Sequence, residues 1–226
     1  MAENKTLSEL AFERFCETNN IQYARVQTED GHRNPDYEAY PSGHRTIVEV
    51  KELIANEVDA QALQKAGEAR VGWAWTDYSK RVGRKIGDAA RQLKQRSAGE
   101  CPTMVVLFDN GTFGGVDSTD IKNAMYGHEV VSVTITSNTS AAVEQRLGGG
   151  RKCTPTDNRS LSAAGLMWDT ADGPRLSIFH NVFAGCPLPV DWFGTTPVRQ
   201  YTIDLDAGPG MPEWREAHVE MESPDG

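Results

Sequence analysis

The sequence predicts an α/β domain. Helical and strand periodicities alternate through its first half, with helix, three strands, helix and strand in order. A strongly apolar strand in the middle of that order carries an acid and a lysine on one face. A cluster of basic residues then follows on the next helix.

Each element has a local reason. Thr6-Leu7-Ser8-Glu9 has the spacing of a capping box and opens a helix over residues 7–18, with Leu7, Leu10, Ala11 and Phe15 as its apolar stripe. Glu9, Glu13 and Glu17 recur every four residues on a flanking strip. Asn19-Asn20 ends that helix. Residues 21–26 read as a short strand, Glu29-Asp30-Gly31 as a turn, 35–40 as a second strand, Pro41-Ser42-Gly43 as a hairpin turn and 46–53 as a third strand. Residues 56–69 and 77–96 read as helices. The second has Val82, Ile86, Ala89, Ala90 and Leu93 on its buried face, with Gly83 and Gly87 as weak points. Residues 104–109 are a buried strand, 119–125 a short helix and 129–136 another strand. Beyond lie a Gly148–Gly150 loop, a hairpin over 161–169 and 175–181 with Trp168, Ile178 and Phe179 as core, a strand near 200–205, and a Pro/Gly-rich acidic tail.

Composition bounds the class. The chain has 226 residues, 38% of them hydrophobic, and a formal net charge of −9. No apolar run approaches the length of a membrane span, so no membrane partner is expected. The N-terminus lacks the pattern of a secretory signal, and the four cysteines are far apart with no CxxC pair. The expected compartment is the cytoplasm, with reduced thiols and no zinc cluster. The negative charge is unevenly spread: between Gln64 and Arg96, nine basic residues face three acidic ones, so this stretch is +6 and the rest −15. Such segregation suits a phosphate-binding face on an acidic body, or a solvated helix face. Arg81, Arg84 and Lys85 are the candidate phosphate contacts.

The chemistry concentrates in Pro35-Asp36 and Glu49-Val50-Lys51. Burying Glu49 and Lys51 in an apolar strand is costly unless they pair or hold an ion. Asp36 and Glu49 on adjacent strands supply two hard oxygen ligands, and the Val50 carbonyl a third. Magnesium, with manganese as a substitute, suits such a set. Lys51 projects to the same spot, where an ammonium orients or activates water or stabilises charge on a phosphate. The plainer alternative is a Glu49–Lys51 salt bridge. The triplet alone is cheap, since Glu3-Asn4-Lys5 repeats it in a polar terminus.

This order of residues and elements resembles the PD-(D/E)XK nuclease superfamily. The motif stands as Pro35-Asp36 and Glu49-Val50-Lys51, inside helix, three strands, helix and strand, over roughly residues 7 to 136. The resemblance implies a restriction-endonuclease-like fold: a central mixed β-sheet flanked by helices, here with a C-terminal extension. It implies a nuclease core over 1–136, an extension over 137–205 packed on the same domain, and an acidic tail over 206–226. It also implies that Glu13, with Glu9 as runner-up, joins the metal site from the first helix, and that Gln92 supports the site from the helix after the third strand. Arg96 stands where the exonuclease-like branch has a tyrosine. The implied activity is magnesium-dependent hydrolysis of nucleic-acid phosphodiesters, DNA ahead of RNA, with Asp36, Glu49, Lys51, Glu13 and Gln92 at the catalytic site. Homodimers are common in the family. The competing reading is a noncatalytic module that keeps the fold and binds nucleic acid or protein.

Three further features carry less weight. His180-Asn181 matches a fragment of an HNH-type motif without its second histidine. His44 flanks the Asp36 strand, as a substrate contact or a loop residue. Trp73 and Trp75 suit base stacking or helix packing.

Overall fold

The computed structural model describes residues 5–27, 34–55, 61, 78–111, 115–137, 140–194, 196–206 and 212–217. The expected helix over 56–69, the turn at 29–31, and Trp73 and Trp75 lie outside the described residues.

Helix α1 (Leu7–Thr18) starts where the capping box requires: Thr6 accepts from the Glu9 N–H, and Glu9 Oε2 accepts from the Thr6 N–H at 2.6 Å. Strands β1 (Gln22–Arg25), β2 (Tyr37–Tyr40) and β3 (Thr46–Leu53) form an antiparallel meander. Helix α2 (Ser79–Ser97) then crosses to β4 (Thr103–Asp109), which runs parallel to β3. Helix α3 (Ser118–Tyr126) leads to a two-stranded ribbon, β5 (Glu129–Ser137) and β6 (Ser140–Leu147). The chain returns as β7 (Ala163–Thr170), β8 (Gly173–His180), β9 (Arg199–Ile203) and β10 (Trp214–Glu216).

One eight-stranded mixed sheet results, in the order β1-β2-β3-β4-β7-β8-β9-β10. The chain beyond 136, expected as an extension, supplies four of its strands, and β7 lies parallel against β4. Part of the expected loose tail, Trp214–Glu216, pairs with β9 as the edge strand. The β5–β6 ribbon is a separate sheet whose Val131, Val133, Ile135 and Val143 are exposed.

The two faces are covered separately. Ala11, Phe12 and Phe15 of α1 pack with Val48, Val50, Val106 and Ile178 on one face. Val82, Ile86 and Leu93 of α2 and Ile121 and Met125 of α3 pack with Ile47, Leu53, Val105, Leu107 and Phe179 on the other. Strand alternation therefore turns Glu49 and Lys51 toward the α2 face, with Ile47 and Leu53.

Three expectations are corrected. The buried side of α1 is Ser8, Glu9, Ala11, Phe12, Glu13, Phe15 and Cys16, while Leu7 and Leu10 are exposed. The two phenylalanines set the helix's phase, because each buries more apolar area than a leucine. Trp168 is 37% exposed at the end of β7, whereas Ile178 and Phe179 are core. Strand β2 begins at Tyr37, so Asp36 precedes it. Gly83 and Gly87 have a packing role: the aliphatic stem of Lys152 crosses α2 there, and a Cβ on Gly83 would lie 3.3 Å from Lys152 Cε. No helix among the described residues is long and apolar enough to cross a membrane. All four cysteines are unpaired.

Candidate metal centre

The divergence of β2 from β3 builds the site. Their pairing runs Tyr37 to Val48, Glu38 to Ile47 and Ala39 to Thr46. Past Val48, the β2-facing edge of β3 meets Asp36 instead of a strand, and the Val50 N–H donates to Asp36 Oδ2 at 2.8 Å. A strand residue's N–H and C=O leave on the same side, so the Val50 carbonyl points to this edge too. The Asp36 carbonyl, in turn, accepts from the Val26 N–H at 3.0 Å, which fixes its backbone against the end of β1.

Glu49 lies beside Asp36 and is 1% exposed. Its Oε1 accepts from Lys51 Nζ. Its Oε2 is buried and has no hydrogen-bond partner among the described residues. Burial is the main cause that lifts the Glu49 carboxyl to about 7, with the Asp36 charge second; Lys51 and, more weakly, the Asp36 backbone N–H pull the other way. Burial likewise raises Asp36 above the usual carboxylate range, opposed by the Val50 N–H and Lys51 and reinforced by Glu9. A buried acid and a half-buried one thus lie close enough to act on each other's charge, with Lys51 acting on both.

The helical glutamates divide. Glu13 Oε2 accepts from Lys5 at 2.6 Å and its Oε1 from the Tyr37 hydroxyl at 2.9 Å. Tyr37 packs on Phe12 on the α1 face, so Glu13 is held on that side of the sheet. Glu9 is the α1 acid whose charge reaches Asp36. Its Oε1 pairs with Arg25 at 2.5 Å while Oε2 holds the helix cap. Arg25 was not singled out from the sequence. The signal was there: in the hairpin register Arg25 faces Tyr37, one residue from Asp36.

Gln92 is half-buried on α2, the helix that covers the face from which Glu49 and Lys51 project. Arg96, one turn on, bonds Glu38 at 3.2 Å. Glu38 also pairs with Arg45 at 2.6 Å, and these cations hold it near 2. Arg84 and Lys85 lie three and four residues after Arg81 on α2, which puts both beside Arg81 on the helix surface. His44 stacks on Trp192, with ring centroids 4.5 Å apart. His180 Nε2 bonds Gln200 at 3.1 Å and Asn181 donates to the Leu161 carbonyl, so both serve the core.

Among the described residues, no group of three or more His, Cys, Asp or Glu side chains is arranged to hold a metal. Magnesium needs fewer: one or two carboxylates suffice, with water and phosphate completing its shell. Asp36, Glu49 and the Val50 carbonyl fit that demand, and the unpartnered Glu49 oxygen fits a cation. No family model, no curated protein and no solved structure matches the chain.

Proposed function

We propose that the chain is a metal-dependent nuclease of restriction-endonuclease-like fold that hydrolyses nucleic-acid phosphodiesters, DNA ahead of RNA. The observation that carries this reading is the buried Glu49 carboxylate, with one oxygen on Lys51 and the other unpartnered, beside Asp36. Such an arrangement is poor as a salt bridge. A carboxylate that served only Lys51 would have no reason to face a second acid, and burial without a full partner set is destabilising. A divalent cation held by Asp36, Glu49 and the Val50 carbonyl satisfies every group at once.

Magnesium bound there supplies charge neutralisation at the phosphoryl and leaving oxygens and a more acidic water. The chain's own groups do the rest. Asp36 is preset by the Val50 N–H, so its carboxylate pays little entropy on binding. Lys51 brings a positive charge next to the phosphate as negative charge builds in the transition state. Gln92 supports from α2. Arg81, Arg84 and Lys85 align the backbone of the bound strand through its phosphates.

The test is cleavage of single- and double-stranded DNA and of RNA with magnesium or manganese. Asp36→Ala and Glu49→Gln are expected to lower cleavage by about 100-fold or more and to abolish the thermal shift caused by metal. Lys51→Ala is expected to keep metal binding and lose cleavage. An absent thermal shift, together with cleavage unaffected by Asp36→Ala, removes the nuclease reading.

A further inference from the structure

A second cavity opens on the same sheet face, at the C-terminal ends of β4 and β7. It has a volume of about 800 Å³, and neither Asp36 nor Glu49 lines it. That size lies within the range of small-molecule sites.

Its wall is aromatic. Phe179 on β8 and Tyr201 on β9 stack with centroids 5.2 Å apart and planes 15° from parallel. Trp214 on β10 leans on Phe179 at 5.1 Å, fixed by its Nε1–H donating to the Ser118 carbonyl at 2.9 Å. Trp168 closes the far side and leaves over a third of its surface open. Phe179 itself is buried, while Trp168, Tyr201 and Trp214 are partly uncovered, and their rigid ring surface favours a flat ligand.

Its uncommitted charged group is found by elimination. Three charged side chains line the cavity: Asp109, Asp169 and Arg199. Both Asp109 oxygens are occupied, by the Gly111 N–H at 2.9 Å and the Val116 N–H at 3.1 Å. Asp169 is paired with Arg14 at 2.5 Å. Arg199 is exposed and has no ion pair or side-chain hydrogen bond among the described residues. The cavity of this acidic protein therefore presents one uncommitted guanidinium, a group whose planar fork matches phosphate.

We propose that this cavity binds a nucleotide, its base lying on the aromatic wall and its phosphate on Arg199. A purely apolar ligand would leave Arg199 unused, and an inorganic anion would leave the rings unused. Strands β3 and β9 are four steps apart in the sheet, so Arg199 lies roughly 19 Å across from β3, while Asp109 brings the near wall of the cavity to β4, beside β3. Neither Asp36 nor Glu49 reaches the cavity, so binding here is testable apart from the metal centre. Both a free nucleotide and one unit of a single strand carry the required chemistry.

Calorimetric titration of the full chain, without divalent ions, tests this. The probes are 5′-AMP, adenosine and a 5′-phosphorylated oligoadenylate of five residues. AMP is expected to bind saturably and adenosine about tenfold more weakly. Arg199→Ala, an exposed position, is expected to bring AMP down to the adenosine level and leave adenosine unchanged. Trp168→Ala is expected to weaken both by about tenfold. Tighter binding of the oligonucleotide than of AMP assigns the site to a strand; equal or weaker binding assigns it to free nucleotide. The same titrations in Asp36→Asn separate the two sites, because loss of cleavage there is expected to leave AMP binding intact. No saturable heat with AMP up to about 10 mM, or AMP affinity unchanged in both cavity variants, overturns the proposal.

Discussion

Glu49 is the residue on which stability and function pull in different directions. Its folded carboxyl titrates near 7, well above a free glutamate, and Asp36 is shifted the same way. The native state then binds more protons than the unfolded chain between about pH 4.5 and 7, so stability falls as pH rises through that window. Thermal unfolding of the metal-free protein is expected to show this downward slope. Glu49→Gln is expected to flatten it, and saturating magnesium to reverse it, because a cation favours the charged form. A slope unchanged by the substitution would leave the carboxylate pair without its assigned energetic role. Glu13 contrasts with it: it is buried, and each of its oxygens accepts one hydrogen bond, from Lys5 and from Tyr37.

At the scale of elements, the connections carry as much constraint as the strands. Gly127 ends α3 at φ +98°, and a Cβ there would sit 2.4 Å from the Gly148 carbonyl oxygen. Gly127→Ala is expected to cost about 1–3 kcal/mol through backbone strain and this clash. In a chain of this length that is a fall of several degrees in melting temperature, measurable by calorimetry. Much of this level was legible beforehand. The capping box placed α1 to the residue, and the β-branched residues Thr46, Ile47, Val48 and Val50 placed β3. The phase of α1 was not legible, because a 12-residue helix with apolar residues at 7, 10, 11, 12 and 15 offers two overlapping stripes. Packing against the sheet chose the one with both phenylalanines. The site was read in part: alternation put Glu49 and Lys51 together, and a hairpin brings Asp36 beside them. Arg25 was legible in the β1–β2 hairpin register and was overlooked, whereas the aromatic cavity was missed because it depends on which distant strands become neighbours. Trp214 shows this well, since a lone short strand in an acidic tail gives no periodicity to read.

For the whole molecule, the decisive fact is that β4 is an interior strand, flanked by β3 and β7. Its residues from Thr103 to Phe108 are all buried, and one of its two neighbouring strands, β7, comes from the chain after 136. A fragment ending at residue 136 would expose the β4 edge. It is expected to show no cooperative unfolding transition and to be digested rapidly by protease, in contrast to the full chain. The helix–strand order that resembled a nuclease core therefore describes a part of one sheet rather than a freestanding unit.

The β5–β6 ribbon has a consequence for behaviour at high concentration. It is tied to the body at its base by Lys122 on Glu129, and the Gly148 N–H on the His128 carbonyl closes its two strands there. Farther out, two unpaired strand edges flank an uncovered row of valine and isoleucine, with Val133 directly opposite Val143. Free edges beside a sticky face template intermolecular pairing. Clumping is thus expected to start from fully folded molecules, with unfolding as a bystander. Val133→Lys with Ile135→Lys should slow the growth of light scattering at a fixed temperature while leaving the melting temperature in place.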